Sequence, residues 1–242
     1  MTIVGGKFGL AMREHLGAVE EANRDVLEMV GGAVVDAISS DRVVFTAGTG
    51  HSAVPVLESF YRAGGLACVH PIYHPALNPL EGATASTHLE RSLGLARLLV
   101  EGAAPSREDV AFVFSNSGVN PVPVEVALEF KKRGAVVVVV SSRQHMKAAP
   151  RRHERRLDEV ADHLFDTLAP YGDSAYPPDD PATGALSSLA CLYVWNLLLA
   201  RVLDLGRERG IEVPLWKSAN TADGEERNRR LMERYRRRIP VL

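Results

Sequence analysis

Two short stretches hold the residues best suited to chemistry, Gly48-Thr49-Gly50-His51-Ser52 and Ser115-Asn116-Ser117-Gly118-Val119-Asn120. Each follows an apolar run and precedes a helical pattern. Glycine lets backbone approach an anion, a helix start offers free N–H groups, and serine hydroxyls add donors without adding charge. The pair therefore predicts a phosphate cradle. The first stretch alone also fits a packing turn between strand and helix, so the second carries more of the signal.

Other chemistries lack their residues. A dinucleotide fingerprint would need a third glycine where Ala53 stands and an acid at the end of the next strand, which instead runs into Val69-His70-Pro71. No Walker A loop occurs. His70 and His74 are four apart, but Pro71 breaks the helix that would give them a shared face, and no cysteine or carboxylate cluster accompanies them. We expect neither a metal nor a cofactor.

The elements that must position the two stretches alternate between strand and helix. Apolar spacing predicts one helix over His15–Ile38, then a strand at Val43–Ala47 and a helix over Ser52–Ala63. A second strand at Leu66–Val69, a proline-rich loop at Pro71–Pro79 and a helix over Thr87–Val100 follow. Val110–Phe114, Val122–Lys132 and Ala135–Val140 form a βαβ unit, and the valine run Val136–Val140 suits a parallel strand covered on both faces. His163–Asp166 predicts a last strand, Gly184–Leu205 an apolar helix, and the charged tail a helix through Tyr235. This order predicts a single α/β domain over residues 1–242, a three-layer αβα, doubly wound parallel sheet with an N-terminal helix at about 7–39 and a C-terminal helical tail at about 206–242.

Composition bounds the function. The 242 residues are 46% hydrophobic and 24% charged, an ordinary globular balance. A formal net charge of −2 argues against nucleic-acid binding, and the basic runs Arg151–Arg156 and Arg227–Arg238 alternate with glutamate like solvated helix faces. Cys68 and Cys191 lie in apolar stretches and indicate no disulfide framework. The N-terminus does not resemble a secretory signal, and the uncharged stretch Pro181–Ala200 contains enough polar residues to read as a buried helix and not a membrane span. A cytoplasmic location is expected.

Six ordered segments resemble the SIS (sugar isomerase) family, whose fold is flavodoxin-like: GTGHS at Gly48–Ser52, YRAGGLA at Tyr61–Ala67, LERSLGLA at Leu89–Ala96, SNSGVNPVPVEVAL at Ser115–Leu128, YGDS at Tyr171–Ser174 and PLWKSANTADGEERN at Pro214–Asn228. Within it they are most similar to a bacterial subgroup of uncharacterised SIS proteins and amino-sugar-phosphate enzymes, N-acetylglucosamine-6-phosphate dehydratase among them. The resemblance implies that Ser52, Ser115 and Ser117 hold a sugar phosphate, supported by Gly50, Asn116, Gly118 and Asn120, the last replacing the threonine of many SIS domains. It implies Glu90 as the base that removes a proton next to a carbonyl. His51, by its place beside Ser52, is a candidate to contact the sugar ring or shuttle the ring-opening proton, and equally to fix the loop through a hydrogen bond. Glu21, Glu58 and Glu81 are weaker alternatives as acid. YGDS makes Asp173 a candidate for a sugar hydroxyl, although an Asx turn suits it as well, and Lys217, Ser218 and Asn220 are candidates for a site wall or a subunit interface.

The resemblance thus implies a cofactor-free enzyme on a hexosamine 6-phosphate, with dehydration of an N-acetylamino sugar ahead of aldose–ketose isomerisation. The alternative is a non-catalytic phosphosugar sensor, against which stands the expectation of no helix-turn-helix ahead of the first helix. The apolar surplus of Gly184–Leu205 predicts a homodimer or larger assembly.

Overall fold

The computed structural model describes residues 6–242. Five parallel strands form one sheet in the order β2-β1-β3-β4-β5: β1 Val44–Gly48, β2 Val69–Ile72, β3 Val110–Phe114, β4 Val136–Ser141 and β5 His163–Asp166. This is the three-layer αβα arrangement expected from the alternating pattern. Helices α1 Gly6–Ala22, α2 Arg24–Ser39, α3 Ala53–Ser59 and α8 Ser187–Glu208 pack together on one face, and α5 Leu95–Ala103 packs with α6 Pro121–Lys132 on the other. The middle strands are covered on both faces, which is why β3 is apolar at every position and β4 from Val136 to Val140, without alternation. Trp195 of α8 closes the core edge-on against Phe112 and Phe114 of β3.

Three expectations need correction. The helix predicted over His15–Ile38 is two helices, because Asn23 leaves the helical ladder to pair with the backbone of β5. Its Oδ1 accepts the Asp166 N–H at 2.7 Å, and its Nδ2 donates to the Asp166 carbonyl at 2.8 Å and the Val19 carbonyl at 2.7 Å. β5 is an edge strand, and this amide satisfies backbone groups that would otherwise lack a partner. The helix predicted over Thr87–Val100 is likewise divided into α4 Ala83–Glu90 and α5, with the chain turning at Gly94, whose N–H is held by the Glu125 carboxylate at 2.8 Å. The second strand starts later than predicted and includes Pro71, which an edge strand with a single neighbour tolerates.

Two smaller differences follow from local hydrogen bonding. A short helix, α7 Arg143–Ala148, was not anticipated; the Ser142 hydroxyl caps it by accepting the His145 N–H at 3.0 Å. The basic run Arg151–Arg156 is irregular and not a helix face. The tail helix α9, Gly224–Tyr235, ends at Tyr235 as predicted, with that side chain buried in the core and Arg234 and Arg238 both paired to Asp41.

The apolar helix α8 is long and apolar enough to cross a membrane by length and composition, yet it packs on α1, α2, α3 and β4. Cys68 and Cys191 are both buried, and burial pushes both thiols up to about 12, so neither is a nucleophile in the folded chain.

Candidate functional site

The strand order reverses between β1 and β3, and in an open parallel sheet a crevice forms beyond the carboxyl ends of the strands at such a point. The two serine loops are the segments that leave β1 and β3. Gly48 is the register partner of Phe114, so both loops start at the same level, side by side.

The first loop needs its glycine for a steric reason. A Cβ on Gly48 would lie 2.0 Å from the Ser52 carbonyl oxygen, so only glycine lets the chain fold back tightly enough to bring Ser52 over the strand end. Ser52 N–H then closes the turn on the Thr49 carbonyl at 3.0 Å. The second loop is braced in the same way: Gly118 has φ +61°, and a Cβ there would sit 2.8 Å from Met146 Cε. Its N–H donates to Ser115 Oγ at 3.2 Å and its carbonyl accepts Leu157 N–H at 3.0 Å.

The hydroxyls divide into two kinds. Ser115 is 3% exposed and its oxygen is engaged by Gly118, so it shapes the loop from within. Ser52 and Ser117 are half-buried, and their hydroxyls bond no group among the described residues. Helix α6 behind the loop opens on Pro121 and Pro123, so two of its first three positions have no N–H to offer an anion.

Glu90 joins the two loops. It ends α4, which a proline-rich excursion from β2 brings back over the sheet; Asn78 Oδ1 shapes that excursion by accepting Leu80 N–H at 3.0 Å. Glu90 Oε1 accepts the Thr49 hydroxyl at 2.7 Å from the first loop and the Asn120 amide at 2.9 Å from the second. No hydrogen bond to Oε2 is seen among the described residues, which leaves that oxygen free to take a proton. Asn120 in turn accepts Arg152 Nη1 at 2.9 Å. Its amide is therefore occupied on both sides by protein.

The rival carboxylates are committed elsewhere. Glu21 pairs with Arg24 across the break between α1 and α2, Glu58 of α3 pairs with Arg62 just past the end of that helix, and Glu81 is exposed. His51 lies exposed in the first loop without a hydrogen-bonding partner among the described residues. Asn116 rests against a histidine that the sequence did not single out, with Nδ2 3.2 Å from His145 Nδ1; its own Oδ1 is buried without a partner. Burial lowers the His145 pKa, opposed by the nearby Asp173 charge.

Asp173 is spent on helix α8. One oxygen accepts Leu186 N–H at 3.1 Å and Ser187 N–H at 2.8 Å, and the other accepts the Ser187 hydroxyl at 2.6 Å. Ser218 and Asn220 fall far from the serine loops within one chain. Trp216 exchanges backbone bonds with Gly64 and Gly65, and Leu215 bridges Leu66, ahead of β2 and so at the opposite end of the sheet.

One chain encloses little space at the switch point: the hollow bounded by Gly48, Thr49, Leu77, Val122 and Pro123 measures about 10 Å³. A larger hollow of about 570 Å³ lies between the tail loop and α9, but its charges pair off, Arg230 with Glu226 at 2.8 Å and Arg227 with Glu212 at 3.7 Å. The free hydroxyls of Ser52 and Ser117 and the free oxygen of Glu90 meet at the serine loops, and the candidate site is placed there. Among the described residues no group of three or more His, Cys, Asp or Glu side chains could hold a metal ion.

Thr49 and Arg152 are the site members that sequence reasoning missed. Thr49 lay inside a quoted motif but without a role. Arg152 was hidden in a basic run containing a single glutamate, and that imbalance was the signal that not every arginine there could pair locally.

Comparison with known proteins gives the family and the fold. The SIS domain family matches residues 7–142, which include both serine loops and Glu90. A UPF0309 protein of Geobacillus kaustophilus is 38% identical over 235 residues, covering 96% of this chain and 94% of the relative. A UPF0309 protein of Listeria innocua is 34% identical over 229 residues, 90% of each chain. Among solved structures, phosphoheptose isomerase from Neisseria gonorrhoeae matches with a TM-score of 0.58 at 14% identity, over 83% of this chain and 97% of that one. The Vibrio vulnificus NanR protein complexed with ManNAc-6P matches with a TM-score of 0.54 at 15% identity, over 99% of this chain and 70% of that one. At such identities the structural likeness speaks for the fold.

Proposed function

The chain belongs to the SIS domain family, and on that premise we propose that it binds an N-acetylhexosamine 6-phosphate at the switch point and dehydrates it without a cofactor. The observation that carries this reading is Glu90, a carboxylate held by both serine loops with one oxygen satisfied and the other free. A surface carboxylate would not be fixed by Thr49 and Asn120 at once.

In this reading Ser52 and Ser117 hold the phosphate through their free hydroxyls and the loop N–H groups, while Ser115 keeps the loop in shape. The sugar opens to its aldehyde, and Glu90 Oε2 removes the proton at C2, whose bonding electrons move into an enolate across C1 and C2. The electrons return, the C3 hydroxyl leaves as water after protonation, and a C2–C3 double bond remains. His51, exposed beside Ser52, is the candidate donor of that proton. An acetylamino group at C2 prevents formation of a simple ketone at that carbon, which favours elimination. For a substrate with a free hydroxyl at C2 the same first step leads to isomerisation, with the proton returned at C1.

The open geometry supports a homodimer or larger assembly. Val54 and Leu57 on α3, Tyr61 just past its end and Leu189 on the adjoining α8 are exposed apolar side chains, and one chain alone leaves the serine loops without a roof. Ser218 and Asn220 reach a serine loop only if a second copy brings them. Incubating the protein with a panel of sugar 6-phosphates and following products by NMR tests the reading. An unsaturated product from an N-acetylhexosamine 6-phosphate supports dehydration, and a ketose from another sugar moves the assignment to isomerisation. Tight binding with no product from any sugar establishes a sensor instead.

A further inference from the structure

The serine loops face a charge problem if their ligand is a phosphate ester, whose second pKa of about 6 makes it a dianion above neutral pH. Hydroxyls and N–H groups are dipoles, and the two prolines at the start of α6 reduce the number of N–H groups available. A full positive charge nearby would hold a dianion more tightly than dipoles alone, through charge-assisted hydrogen bonds. Arg152 stands at this point.

The geometry sets Arg152 apart from its neighbours. Arg151 pairs with Glu159 at 2.6 Å and Arg156 with Asp158 at 3.3 Å, while Arg155 has no ion pair among the described residues but makes no bond to either serine loop. No carboxylate lies within ion-pair distance of Arg152 among the described residues, and its one bond, from Nη1, goes to Asn120 Oδ1 at the end of the second serine loop. Guanidinium carries five N–H donors in a fixed fork, so four remain for a ligand. The segment bearing Arg152 is itself tied to that loop, since Leu157 N–H donates to the Gly118 carbonyl at 3.0 Å. The backbone that bears the charge is thus anchored beside the loop, and the exposed guanidinium reaches it through Asn120.

We propose that Arg152 is the charged member of the phosphate site and that it selects a dianionic phosphate ester over the monoanionic ester of the same sugar. This rests on the phosphosugar reading above and adds to it a specificity residue outside the matched serine motifs. One amide and two hydrogen bonds separate its guanidinium from Glu90 Oε1, so phosphate and reacting carbon occupy opposite sides of Asn120.

Calorimetric titration at pH 8 with N-acetylglucosamine 6-phosphate and N-acetylglucosamine 6-sulfate tests it without any need for turnover. The wild type binds the phosphate at least about tenfold more tightly than the sulfate, as expected for charge-assisted hydrogen bonds to a second negative charge. Arg152→Met removes that preference and weakens phosphate binding by about tenfold to a hundredfold while leaving sulfate binding within about threefold. Arg152→Lys restores part of the preference, because the charge returns without the fork. Equal unfolding temperatures of the three proteins exclude a folding defect. A preference that survives in Arg152→Met overturns the inference and leaves the phosphosugar reading standing. A wild type that binds neither ester overturns the phosphosugar reading itself.

Discussion

The amide of Asn120 stands 2.9 Å from Glu90 Oε1, and this one hydrogen bond joins a loop at the start of α6 to a helix end thirty residues earlier in the chain. With Thr49 on the other side, it settles which oxygen of Glu90 is free. Glu90→Gln keeps size and polarity and removes the base, so turnover should fall at least about a hundredfold while phosphosugar affinity changes little. In heavy water the wild type should exchange the substrate's C2 proton for deuterium and the variant should not. Normal exchange in Glu90→Gln would move the base to another residue.

Ser117 tests the cradle. Its hydroxyl has no bonding partner among the described residues, so Ser117→Asp places a negative charge where the phosphate would sit and should abolish binding with little loss of stability. In thermal unfolding of the wild type, a sugar 6-phosphate at a hundred times its dissociation constant should add about 2.7 kcal/mol, and the free sugar far less. Equal shifts from both would remove phosphate from the account of the site.

The exposed apolar side chains of α3 and α8 make assembly testable. Light scattering should give a mass at least twice the 26.3 kDa of one chain, and Leu57→Arg together with Leu189→Arg should reduce it to one. Leu57 is 77% exposed, so the change costs the isolated chain little. A wild type that is already monomeric at working concentration would refute the assembly.

Stability should depend on pH through buried histidine. His70 of β2 is 6% exposed, its Nδ1 is buried without a partner, and burial lowers its pKa, opposed by a hydrogen bond from the ring to the Arg238 backbone carbonyl. His15 and His145 are lowered for the same first reason. A depressed histidine binds its proton more readily once unfolded, so stability is fully present above the ordinary value of 6.5 and is lost as pH falls through the folded values. Each such group adds a slope of up to about 1.4 kcal/mol per pH unit in that window. Denaturant melts from pH 7.5 to 5 should show this loss, and His70→Leu should flatten it. An unchanged slope in the variant would assign the acid sensitivity to other groups.

The sequence by itself determined the layered α/β architecture and both serine loops, because these rest on local signals: apolar runs, glycine at strand ends and hydroxyls before helices. It also pointed to Glu90 through resemblance. Other features depended on contacts between distant residues, to which local periodicity is blind. Asn23 suits a helix interior tolerably, and only an edge strand 143 residues away made it a break. Arg152 looked like one more solvated charge until folding placed it against Asn120, 32 residues earlier. Asp173 and Ser218 carried the right chemistry, but the tertiary structure gave Asp173 to the N-terminus of α8 and put Ser218 at the far end of the sheet. Residue type states which hydrogen bonds a side chain can make; packing decides which donors and acceptors are close enough to make them.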